Sequence, residues 1–210
     1  MAVVGVTRMA GGGGVVAAEV GVEVAVADGA VAGEVEAGAA ADFPEGAEAV
    51  VVVGRAAVGN PVWRNMKPAE LITKLDESRI VEAIAAAERN TTGEIRVCVS
   101  HQRPLDVLAA ARRHFERLKM QRTKGRNGVL IYFVPHTRQF AVWGDIAVNE
   151  KGGDELWREV VVGMTPLLKA ERYTDAVIFS VGKVGEVLAR HFPPDPSDRN
   201  ELPNRITTDS

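Results

Sequence analysis

Thr92-Gly93-Glu94-Ile95-Arg96-Val97-Cys98-Val99-Ser100 alternates apolar and polar side chains after a turn, the pattern of a half-buried strand. Ile95, Val97 and Val99 point one way; Arg96 and Cys98 point the other. Pro104 and Asp106 then open a helix. Its buried stripe is Val107, Leu108, Ala111, Phe115 and Leu118, and Arg112, Arg113, Glu116 and Lys119 are its wet side, with His114 assigned to solvent. After a polar loop, Val129-Leu130-Ile131-Tyr132-Phe133-Val134 is a continuous apolar run, as expected of a central strand. A helical crossover between two strands makes them parallel. Turn residues from Pro135 to Gln139 lead into Phe140-Ala141-Val142-Trp143-Gly144, which pairs back as a hairpin.

This unit decides the fold. Upstream, Asp76 caps a helix with Ile80, Val81, Ile84 and Ala87 on one face. Downstream, Gly152-Gly153-Asp154 opens a helix that Pro166 should kink or shorten. A last helix runs from Tyr173-Thr174 to His191-Phe192. The expected fold is α/β: a small three-layer sandwich, with a short mixed sheet flanked by about four helices.

Residues 1–65 stand apart. They are almost wholly Gly, Ala, Val, Glu and Asp, and contain no Leu, Ile, Lys, Ser, Tyr, Gln, His or Cys. Such a segment cannot bury enough apolar surface to offset the entropy of ordering. It is expected to be disordered or to precede a true translation start at Met66. The domain is expected over 66–193, with 194–210 an extended polar tail. A formal net charge of −3 makes no electrostatic case for nucleic acid. The single cysteine, Cys98, fits a reducing, cytoplasmic setting. No stretch approaches the roughly 20 apolar residues of a membrane span. A monomer is expected.

The strand directions carry the functional expectation. The start of the strand at Glu94, the start of the strand after Arg126-Asn127-Gly128, and the hairpin's end at Gly144-Asp145 should meet at one sheet edge. Two carboxylates and a carboxamide would converge there, a set suited to a hard cation such as calcium or magnesium. Glu94, Asn127 and Asp145 are the candidate metal ligands. Asp145, Glu94 and Arg126 are also the catalytic candidates, and the residues do not name a reaction. The bland alternative is a polar edge, in which Asp145 caps a turn and Glu94 pairs with Arg126. Arg112 to Arg126 form a basic stretch able to meet an acidic lipid surface or RNA; aromatic interleaving is missing, and the bland alternative is a solvated helix face and loop.

Four ordered segments resemble the motifs of the TPM domain family, also catalogued as TPM phosphatase-like. They are Thr92-Gly93-Glu94-Ile95-Arg96-Val97, Arg126-Asn127-Gly128-Val129-Leu130, Gly144-Asp145-Ile146-Ala147-Val148-Asn149-Glu150 and His191-Phe192-Pro193. The tail Asn200-Glu201-Leu202-Pro203 is similar to that of short bacterial members. The resemblance implies a short sheet with helices on both sides. It also implies a binding or assembly module with a divalent-cation site. The alternatives are a metal-assisted acid phosphatase, with Arg126 or Arg96 on the phosphate, and a peripheral component meeting a protein partner or membrane complex. The sequence departs from the pattern at Ala147, where short bacterial members carry Gly.

Overall fold

The computed structural model describes residues 4–8, 19–22, 50–55, 66–195 and 203–209. The elements are β1 (Val4–Arg8), β2 (Glu19–Val22), β3 (Val50–Arg55), α1 (Pro68–Lys74), α2 (Glu77–Glu88), β4 (Glu94–Ser100), α3 (Val107–Arg117), β5 (Gly128–Val134), β6 (Gln139–Gly144), α4 (Ile146–Lys169), α5 (Tyr173–His191) and β7 (Thr207–Asp209). The strand order is β2-β1-β3-β6-β5-β4-β7. Of residues 1–65, only the three strand ladders are described, and the expectation for the rest of that segment lies outside the described residues.

The central pairings follow from the helical crossover and the hairpin. β4 and β5 run parallel with Glu94 opposite Gly128, and β5 and β6 run antiparallel with Val129 opposite Gly144. β7 adds to the other side of β4, parallel, so the end of the polar tail completes the sheet.

Alternation along the strands divides the core in two. Ile95, Val97, Val129, Ile131 and Val142 face α1, α2, α4 and α5. Cys98, Leu130, Tyr132, Ala141 and Trp143 face α3, which covers the opposite side of the sheet. The α/β sandwich with a mixed sheet is therefore the observed architecture.

Local chemistry sets the helix ends. The Asp76 carboxylate accepts from the Arg79 N–H at 3.1 Å, and Asp106 accepts from the Leu108 and Ala109 N–H groups at 2.8 and 3.1 Å. The break expected at Gly152-Gly153 lies within α4: Gly153 has φ 59° and ψ −174°, which divides a short first helix from a longer second one. Pro166 does not break the helix, which continues to Lys169 with Gly153 alone at non-helical angles. The proline removes a hydrogen bond from the Val162 carbonyl, and Val162 sits on the exposed side of the helix, where the loss is least costly. Gly144 has a packing reason to be glycine. A β-carbon there would lie 2.5 Å from the ring of Trp157, which is fully buried.

Candidate functional site

The three candidate ligands lie along one edge of the sheet. Glu94 opens β4 opposite Gly128, the Asp145 N–H donates to the Gly128 carbonyl at 2.9 Å, and Asn127 directly precedes Gly128. All three are buried, Asn127 completely.

Asp145 serves two partners. As N-cap of α4 it accepts from the Ile146 N–H at 2.9 Å. It also receives Arg126 bidentately, Nε to Oδ2 at 2.7 Å and Nη2 to Oδ1 at 2.9 Å. This hydrogen-bonded carboxylate holds the Arg126 guanidinium above its usual range. Arg126 has φ 49°, and its carbonyl accepts from the Ala147 N–H at 3.2 Å. Ala147 thus belongs to the first turn of α4, where alanine is the best helix former, and the departure from glycine does not distort the backbone at Asp145.

Asn127 is fixed at both ends except for one atom. Its backbone N–H donates to Thr123 Oγ1 at 3.2 Å and its Nδ2 donates to Thr92 Oγ1 at 3.1 Å. Its Oδ1 is buried and accepts no hydrogen bond among the described residues. A buried carbonyl oxygen left in that condition costs about 1–3 kcal/mol. Gly125 permits the loop to close on it, since a β-carbon there would lie 2.7 Å from Asn127 Nδ2.

Glu94 does not pair with Arg126. Its neighbour is Arg96, two residues along the same strand face, with Nη2 3.9 Å from Oε2. Arg96 is fully buried; burial lowers its pKa, while Glu94 and Glu88 act to raise it. Glu88, the last residue of α2, is near enough to interact with the Arg96 charge. Its oxygens accept from the Ile95 N–H at 2.9 Å and from Asn204 Nδ2 at 2.7 Å, and burial raises its pKa despite these bonds. A cleft of about 200 Å³ opens beside Glu94, with Glu88, Thr91 and Asp195 on its walls.

A second polar cluster, not anticipated from the sequence, lies on the α3 side of the sheet. The Asp209 carboxylate accepts from Ser100 Oγ at 2.7 Å, Tyr132 OH at 2.6 Å and the His101 N–H at 2.6 Å. Burial acts to raise the pKa of Asp209, but the Tyr132, Ser100 and His101 hydrogen bonds outweigh it and hold the carboxyl below its usual range. Cys98 is buried beside this carboxylate, and burial with the nearby negative charge pushes its thiol up to about 12. It is a packed, protonated thiol without the thiolate character of a nucleophile.

His114, assigned to the wet side of α3, is buried instead, 5.8 Å from the Tyr132 ring. The missed signal is spacing, for it lies seven residues after Val107 on the same stripe. Burial lowers the pKa of His114, so the folded protein holds it neutral.

Both groups bind protons less readily when folded. Stability should therefore fall as pH drops below about 6.5, where the unfolded histidine takes up its proton, and fall again below about 4 as unfolded Asp209 does so. Urea unfolding at stepped pH should show both windows, and His114→Gln should shrink the upper one, leaving the part due to His136, whose pKa burial and the Arg103 charge also lower.

Among the described residues no helix is long and apolar enough to cross a membrane. The sequence profile of the TPM domain matches residues 66–187. The chain is similar to the BA42 protein of the psychrophilic bacterium Bizionia argentinensis, solved by NMR, at 36% identity and a TM-score of 0.59, over 63% of this chain and 92% of that one. Comparison with curated proteins gives no match. The profile spans both halves of the core, the parallel β4–β5 pair and the Glu94–Asn127–Asp145 edge in one continuous stretch of more than half the sequence, and the chain belongs to the TPM domain family.

Proposed function

We propose that this chain is a binding or assembly module whose working surface is the edge formed by Glu94, Asn127 and Asp145, and that this edge takes a hard divalent cation, calcium or magnesium. The observation that carries the reading is the Asn127 carboxamide oxygen, buried at that edge with no donor among the described residues. Two carboxylates and an oriented carbonyl oxygen match the ligand preference of such ions. No three His, Cys, Asp or Glu side chains gather in binding range among the described residues. Backbone carbonyls and water would therefore complete the coordination. The Arg126–Asp145 pair makes the cation a competitor of the guanidinium for the same oxygens.

The rival reading, a metal-assisted phosphatase, uses the same residues, with Arg126 or Arg96 facing the phosphate. Binding is favoured because Arg96 is only 2% exposed, beyond a substrate's reach, and because the Cys98 thiol is buried and protonated.

The test is the melting temperature of the full chain with and without calcium. At a concentration about a hundredfold above Kd the gain is about 2.7 kcal/mol, a rise of about 5–10 °C. Asn127→Ala and Asp145→Asn should abolish that rise, whatever they do to the calcium-free melting temperature. A rise untouched by both, or none with either ion, would remove the site. Turnover of a phosphomonoester that is lost in Asp145→Ala would favour the phosphatase instead.

A further inference from the structure

We propose that the outer surface of α3 and the turn that follows it dock on an anionic lipid surface. Residues 112–126 carry seven Lys and Arg against the single carboxylate of Glu116, a local charge of +6 in a chain of net charge −3. The remaining residues therefore sum to −9, so the basic stretch runs against the charge of the rest of the chain. Arg113, Arg117, Lys119, Arg122, Lys124 and Arg126 are all exposed; Arg126 is paired with Asp145 and Lys124 lies 3.7 Å from Asp195, so Arg113, Arg117, Lys119 and Arg122 lead the array. Glu116, the one local carboxylate, is held by Arg112 at 2.9 Å.

The fold presents these charges as a fixed array. The buried stripe of α3, with Val107, Ala111 and Phe115, packs on the sheet and turns the arginines outward. The turn is pinned by Met120, which is fully buried, and by Thr123, whose Oγ1 accepts from the Asn127 N–H. Backbone already fixed in this way loses little further entropy on binding.

A second observation points to lipid. Leu105, just before the Asp106 cap of α3, is a fully exposed large apolar side chain. Leu105 lies at the N-terminal end of α3, and the cations lie from its middle to the turn beyond its C-terminus. One helix thus carries an apolar contact and a cationic one, as the boundary between acyl chains and anionic headgroups requires. Nucleic acid fits less well, since the aromatic rings under this face, Phe115 and Trp143, are buried and offer nothing for bases to stack on.

The experiment is flotation of the full chain with vesicles of phosphatidylcholine containing about 30% phosphatidylserine, against phosphatidylcholine alone. Binding should require the anionic lipid and should weaken as salt rises from about 0.1 M to about 0.5 M. Arg113→Glu with Arg117→Glu should reduce the partition coefficient by about 25-fold or more, at about fivefold per cation removed. Leu105→Ser should reduce it by about tenfold. No flotation, flotation equal on both vesicle types, or flotation unchanged in both variants overturns the proposal. Binding to a single-stranded RNA oligonucleotide that displaces the chain from the vesicles overturns it as well.

Discussion

Asp209→Ala is expected to lower the unfolding free energy by about 3–5 kcal/mol, measured by urea titration of the full chain at neutral pH. Three donors converge on that carboxylate: the Ser100 hydroxyl, the Tyr132 hydroxyl and the His101 N–H, all within 2.7 Å. Ser100 and Tyr132 are buried, so water cannot replace the lost acceptor without entering the core on the α3 side. β7 is only three residues long, paired to β4 from Cys98 to Ser100, with a 3.2 Å hydrogen bond from Thr207 Oγ1 to the Val97 carbonyl and the packing of Ile206 as its other ties. The substitution should therefore release the tail, and with it the Asn204 contact to Glu88. Asp209→Asn keeps one acceptor oxygen and should lose about half as much. An Asp209→Ala protein as stable as the parent would mean that the clasp does not hold the sheet edge.

Trp157→Ala should cost a comparable 3–5 kcal/mol. The ring is the largest fully buried side chain among the described residues, and it lies against Gly144 at the end of β6. Its Nε1 donates to Asn149 Oδ1 at 2.9 Å, and the Asn149 N–H donates to the Asp145 carbonyl at 3.1 Å. The tryptophan therefore ties the core to the first turn of α4, the turn that Asp145 caps. Trp157→Phe keeps most of the packed volume and loses the hydrogen bond, so about 1–2 kcal/mol is expected. Equal losses in the two variants, read by urea unfolding, would contradict this division.

What could be read from the sequence follows from how local each signal was. The alternation through Glu94–Ser100 and the apolar run through Val129–Val134 reported which face is buried, and the helix between them forced the strands parallel. The edge carrying Glu94, Asn127 and Asp145 came from strand direction alone, so the sequence could place those residues along one edge without side-chain detail. It could not assign their partners. Arg126 chose Asp145 over Glu94 because its left-handed backbone and its carbonyl's bond to Ala147 set it beside the cap of α4.

The Asp209 clasp was illegible for a different reason. Its members lie 109 and 77 residues apart in sequence, and a lone aspartate in a polar tail has no periodicity to betray burial. The β-branched run Ile206-Thr207-Thr208 was the available hint that the tail ends in a strand. His114 was misassigned because its charged neighbours outweighed its own place on the stripe.

The most direct test of the cation-binding edge is calcium titration of the full chain labelled with nitrogen-15, observing side-chain amide and guanidinium signals. The account predicts saturable shifts of the Asn127 side-chain amide and of the backbone amides at Glu94, Gly128 and Asp145, with the Arg126 Nε–H signal moving as its carboxylate partner is taken by the ion. Saturable calcium shifts confined to other residues, or an Asn127 amide that stays in place while calcium rises well past any plausible Kd, would contradict it.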